Sequence, residues 1–150
     1  MTDYYNPFQS LELHIPEVHR GAVDRYSLTQ PTGGRRPSPD DSPFPRVVDI
    51  WFLAVCLGAA RGRGSPLEDG HKFNTGDILT RDPGRVELLE LIAISASGDP
   101  DIISTPAECM RLINGLAAAG LPEVLQMLES GNSKPIWNLT DSLLDRLERT

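Results

Sequence analysis

Cysteine is scarce: Cys56 and Cys109 are the only two in 150 residues, and both lie inside apolar stretches. No Cys-x-x-Cys or Cys/His ligand spacing accompanies them, so a zinc site is not expected and two buried thiols acting as small hydrophobes are. Basic charge is short as well. Fourteen Lys and Arg stand against 21 Asp and Glu, a formal net charge of −7. Gripping a nucleic-acid backbone works by displacing counterions from a basic face, which this balance disfavours. The longest apolar run, Ile50 to Ala60, is shorter than the roughly 20 residues a membrane span needs. The opening MTDYYNPFQS has neither the basic nor the apolar region of a signal peptide, so a cytoplasmic location is expected. There is no G-x-S-x-G, no H-E-x-x-H and no glycine spacing that would cradle a phosphate. No catalytic residue, metal ligand or cofactor is therefore expected.

The length suits one domain with a single core. Hydrophobic residues make up 39%, and of the 13 Pro and 13 Gly many sit together near the N-terminus. In QSLELHI, Leu11, Leu13 and Ile15 alternate with Glu12 and His14, the period of a half-buried strand that Pro16 ends. A second strand over Ala22 to Leu28 would complete a hairpin. Residues 30–46, QPTGGRRPSPDDSPFPR, exclude regular structure and read as a linker or extended arm. The division expected is an arm and Pro/Gly-rich linker over 1–46, followed by a helical domain over 47–150.

VVDIWFLAVCLGAA, residues 47–60, is apolar nearly all round and predicts a buried helix, with Trp51, Phe52, Val55 and Leu57 centring the core. Residues 61–81 read as a long polar loop pinned by Phe73, Ile78 and Leu79. Asp82-Pro83 then caps a helix whose face is Val86, Leu89, Ile92 and Ala93, widened by Leu88, Leu91 and Ile94, with Gly98 placed to end it. Thr105-Pro106-Ala107-Glu108 reads as a capping box. Its helix stops at Gly120, and Pro122 opens another that stops at Gly131, so the two must meet at a corner. Ile136 and Trp137 read as an apolar anchor before a last helix, capped by Thr140 or Asp141 and bearing Leu143, Leu144 and Leu147. The fold class predicted is mainly α: a compact bundle of about five helices with a short N-terminal β-hairpin or strand arm and a Pro-rich linker.

Three chemical readings attach to particular residues. The apolar strand face and the Pro-rich arm, Leu11, Leu13, Ile15, Pro37, Pro39 and Phe44, are candidates for docking a protein partner, because elements that cannot bury their own faces recruit one. Arg35, Arg36, Arg46, Arg61 and Arg63 form the alternative, a local basic patch for nucleic acid. Glu68, Asp69, Asp77 and Asp82 crowd one loop and offer a second alternative, a divalent-ion site for a nuclease or hydrolase, although the calcium-loop spacing is absent. His14, His19 and His71 are far apart and read as solvated.

A recognisable pattern runs through the middle half of the chain. It consists of Asp49, Phe52, Leu57 and Gly58 on the apolar helix, a polar loop with a Phe, then Leu91-Ile92-Ala93. Asp99 and the stretch Asn114-Gly115-Leu116-Ala117-Ala118-Ala119-Gly120-Leu121 follow. Over 47–129 this resembles the small accessory proteins called Dnd system-associated protein 4, found near DNA phosphorothioation and other phage-defence clusters. The resemblance implies an accessory component of a bacterial defence system, acting through larger protein partners with at most indirect nucleic-acid contact. It carries over no catalytic residue.

Overall fold

The computed structural model describes residues 5–28, 38–62, 64, 65, 67 and 69–149. The fold is mainly α with one two-stranded antiparallel sheet. In chain order the elements are β1 (Glu12–Pro16), α1 (Arg20–Arg25), α2 (Val47–Ala60), β2 (Gly70–Thr75), α3 (Arg85–Ser97), α4 (Pro106–Glu129) and α5 (Pro135–Glu148). Three 3-10 turns, Glu17–His19, Gly76–Arg81 and Pro100–Ser104, join them.

Helix α4 is the centre. It lies chiefly against α2, with α5, β1 and α3 around it. The α2–α4 contact is backbone on backbone. A Cβ on Gly120 would overlap the Ala54 carbonyl, and one on Gly58 would overlap the Leu116 carbonyl. Glycine at both positions therefore lets the two helices approach until main chains touch, which brings Trp51, Val55, Ile113, Leu116 and Leu121 into one fully buried cluster. Gly115 performs a similar service for the loop after α2: its carbonyl accepts from the Ser65 amide at 3.0 Å, and a Cβ would stand 2.9 Å from the Ser65 oxygen.

Between these glycines sits Asn114, which joins three segments. Its Oδ1 accepts from the His14 amide at 3.0 Å and from the Trp51 indole N–H at 3.3 Å, and its Nδ2 donates to the Glu12 carbonyl at 3.1 Å. The side-chain amide thus meets two alternate residues of β1 as a neighbouring strand would. On its other edge β1 pairs with β2, in a register running from Glu12 opposite Thr75 to Pro16 opposite Gly70. The register skips Phe73 between Leu13 and His14, and the Phe73 ring lies 6.2 Å from that of Trp51. Bulges commonly re-aim a side chain in this way.

Several expectations are corrected here. The partner of β1 is not residues 22–28, which form α1 and its exit turn, but a segment of the supposed polar loop. The remainder of that loop turns as a 3-10 helix with Leu79 fully buried. The proposed corner at Gly120–Pro122 does not exist, because α4 runs through both residues. Pro122 deprives the Ala118 carbonyl of its usual amide, but Pro122 is exposed and Ala118 only half-buried, and the buried row continues past the proline through Val124 and Leu128. Asp82 does not cap α3; Gly84, at φ 81°, does. Thr105 makes no capping-box bond to α4, and its hydroxyl donates instead to the Ile102 carbonyl at 3.4 Å. Helix α5 begins at Pro135, before Thr140 and Asp141. Gly98 closes α3 in the left-handed conformation, as its position predicts.

The boundary expected at residue 46 separates no cores. Phe8, Leu13, Ile15, Val23 and Tyr26 are buried in the same cluster as the helices. The described flanks of the Pro-rich stretch are tied together, with Leu28 N–H donating to the Phe44 carbonyl at 2.8 Å and Ser42 Oγ to that of Arg25 at 2.7 Å.

Gly120→Ala should lower the unfolding free energy by about 3 kcal/mol, because helix backbones must part to admit a methyl. Gly21→Ala in α1, with nothing within 4 Å, should raise it by roughly 0.5–1 kcal/mol. Urea unfolding of the two variants checks both signs.

Candidate functional site

Most of the residues singled out in the sequence are committed to internal contacts. Leu13 and Ile15 are fully buried in the core, so the apolar strand face meets the chain's own helices and is not open to a partner. Leu11 and Phe44 are half-buried against the same core, and Pro39 is exposed. Pro37, Arg35, Arg36, Arg63 and Glu68 lie outside the described residues.

The arginine patch is corrected in its described members. Arg46 and Arg85 face Asp49 and Asp82 in an alternating square of four charges. Arg46 reaches Asp82 at 2.7 Å and Asp49 at 3.1 Å, while Arg85 reaches them at 3.2 and 3.3 Å. The hydrogen bond to Asp82 chiefly, with that to Asp49, raises the Arg46 pKa above its usual value. The square is electrically neutral and ties the start of α2 to the start of α3. The Arg85 guanidinium also lies 4.3 Å from the ring centroid of Phe52, which is half-buried at the edge of the core and not at its centre as expected.

Arg61 is engaged too. Glu123, 8% exposed on α4, takes Arg61 at 3.0 Å and Arg146 of α5 at its other oxygen. The Arg61 contact is ionic without hydrogen-bond alignment. One carboxylate therefore clamps α2, α4 and α5, and burial without those cations would be costly.

The acids proposed for a divalent ion do not converge. Asp82 belongs to the square, Asp77 is hydrogen-bonded to Thr75, and the Asp69 carbonyl accepts from the Glu17 amide. Among the described residues no group of three or more His, Cys, Asp or Glu side chains comes together. His14 and His71 each sit beside a glutamate on the sheet, at 3.3 Å from Glu12 and 3.5 Å from Glu17. Next to His14, between β1 and the start of α4, is a groove of about 570 Å³ lined by Leu11, Met110, Leu67 and Arg111. Ser65, His14 and Glu12 also line it; the His14 Nδ1 is buried without a hydrogen-bond partner, so the Ser65 hydroxyl is not bonded to it.

Both thiols are free. Cys109 is fully buried, and burial, reinforced by the nearby charge of Glu90, pushes it up to about 11. Cys56 is half-buried and is also raised, again by burial.

What the fold leaves outside is apolar. Leu88 and Leu91 on α3 are 50% and 62% exposed; Trp137, Leu144 and Leu147 on α5 are 57%, 52% and 69% exposed. The α5 residues were expected to face inward. Helix α5 instead packs through Leu139 and Leu143, so Trp137 and Leu144, seven residues apart, share the opposite side. The signal was present in the sequence: a helix begun at Pro135 carries two apolar rows, and only one can meet α4. Among the described residues no helix is long and apolar enough to cross a membrane. No family model matches the chain, and no curated protein or solved structure matches it either.

Arg46→Gln should lower the unfolding free energy by about 1 kcal/mol, and adding Asp49→Asn should cost less than the sum of the two single changes, a double-mutant cycle in urea being the measurement. The buried Cys109 favours the neutral thiol in the fold, so its contribution is complete below pH 9 and declines as pH rises from 9.0 towards about 11. Melting temperatures across that range should fall less steeply for Cys109→Ala than for the parent.

Proposed function

We propose that the chain is a non-catalytic accessory subunit that docks on a larger protein partner. The observation that carries this reading is the exposure of large apolar side chains on α3 and on α5, headed by Trp137. Single exposed hydrophobes are ordinary, but a tryptophan and four leucines on two helices are a costly surface for a solitary protein, and Trp is the residue most enriched in binding hot spots. The pairing of Arg46 within a neutral square and of Arg61 with Glu123 supports protein contact over direct nucleic-acid contact. The setting we propose, a bacterial anti-phage defence complex in the cytoplasm, draws its support from the resemblance over residues 47–129.

The test is affinity purification of the tagged chain from its native host, beside Leu91→Asp and Trp137→Asp variants checked for native melting. The parent should retain a partner in fixed stoichiometry, and at least one variant should lose it. A strictly monomeric parent that retains nothing would remove the proposal.

A further inference from the structure

Resting on that docking role, we infer that the outer face of α5 is built to receive a basic amphipathic helix of a partner protein. Along this face Trp137, Asp141, Leu144 and Glu148 stand at i, i+4, i+7 and i+11, all exposed and on one line of the helix. Apolar and acidic positions alternate along it, with the two apolar anchors about 10 Å apart. Asp145, also exposed, widens the acidic flank and is paired with Arg149 at 2.9 Å. The other arginine of the helix, Arg146, turns inward to Glu123. The open row thus carries two apolar anchors and two carboxylates that no ion pair among the described residues engages.

Such a row specifies its occupant. A helix presenting Leu or Ile opposite Trp137 and Leu144, with Lys or Arg opposite Asp141 and Glu148, would match it in both shape and charge. A second copy of this chain would not. Setting Trp137 of one copy against Leu144 of the other, antiparallel, brings the two Asp141 carboxylates together near the axis. Sliding to relieve that sets Trp137 against Glu148. Anionic lipid and nucleic acid are disfavoured by the same carboxylates and by the net charge of −7. The platform is firm: Leu139 and Leu143 pack on the core, Arg146 is held by Glu123, and the Ile136 amide donates to the Asp40 carbonyl at 3.1 Å.

The full chain can be titrated with three synthetic peptides: an amphipathic Leu/Lys helix, its Leu/Glu counterpart, and a scrambled Leu/Lys sequence of equal charge. The readout is direct, because Trp51 is fully buried and Trp137 is open, so acrylamide quenching reports chiefly on Trp137. The Leu/Lys helix should protect and blue-shift Trp137, and should bind at least tenfold tighter than the scrambled peptide. Asp141→Lys/Glu148→Lys, both at exposed sites, should reverse the preference to the Leu/Glu helix, and Leu144→Asp should weaken binding tenfold or more with an unchanged melting temperature. Equal binding of the Leu/Lys helix to the parent and the double-lysine variant, or none to either, would overturn the inference. So would a dimer in sedimentation equilibrium that Trp137→Asp dissociates. A native partner lost with Leu91→Asp but kept with Trp137→Asp would refute this face while leaving the docking role intact.

Discussion

Everything in this molecule is arranged around one close approach, the main-chain contact between α2 and α4. Two helices can touch backbone to backbone only where side chains are missing, and Gly58 and Gly120 supply the gaps. At that distance Trp51 comes within reach of Asn114, and Asn114 in turn holds β1. β1 carries β2, and β2 brings Phe73 back to Trp51. The stretch from Asn114 to Gly120 therefore does structural work at several positions: a side-chain amide for the strand, a bare Cα for the crossing loop, a leucine for the core and a second bare Cα for the helix contact.

Charge is used in the same internal way. The two clusters, Arg46–Asp49–Asp82–Arg85 and Arg61–Glu123–Arg146, each bind helices to one another at the rim of the core. Partly buried ions hold their positions only when paired, so these contacts fix the angles at which α2, α3 and α5 leave the centre. The consequence for function is a division of labour. Arginines and acids inside the clusters define geometry, while Asp141 and Glu148, on the outside of α5, face solvent alongside Trp137.

The parts of the fold legible in sequence are those whose signal is local. The apolar run from Val47 needs no partner to be read as a buried helix, and Gly98 ends α3 where a left-handed residue is required. The parts that were not legible depend on distant residues. Gly-His-Lys-Phe-Asn-Thr has no apolar alternation, and it is a strand because β1, more than fifty residues earlier, offers it an edge. Gly120 and Pro122 are locally a stop and a start, and tertiary contact overrides both. The same limit hid the candidate surface. Periodicity marks Leu143, Leu144 and Leu147 as helical, but which of them meets α4 is decided by the packing of Asn138 and Leu139 under the 128–133 turn.

Asn114 has one further consequence. A two-stranded sheet ordinarily leaves two open margins, and a β-strand with bare amides and carbonyls is a template on which another chain can crystallise its own strand. Here the inner margin of β1 is closed at residues 12 and 14 by a single carboxamide. One side chain of α4 thus removes that margin as a template for a foreign strand, at the cost of making the sheet's position depend on a single asparagine.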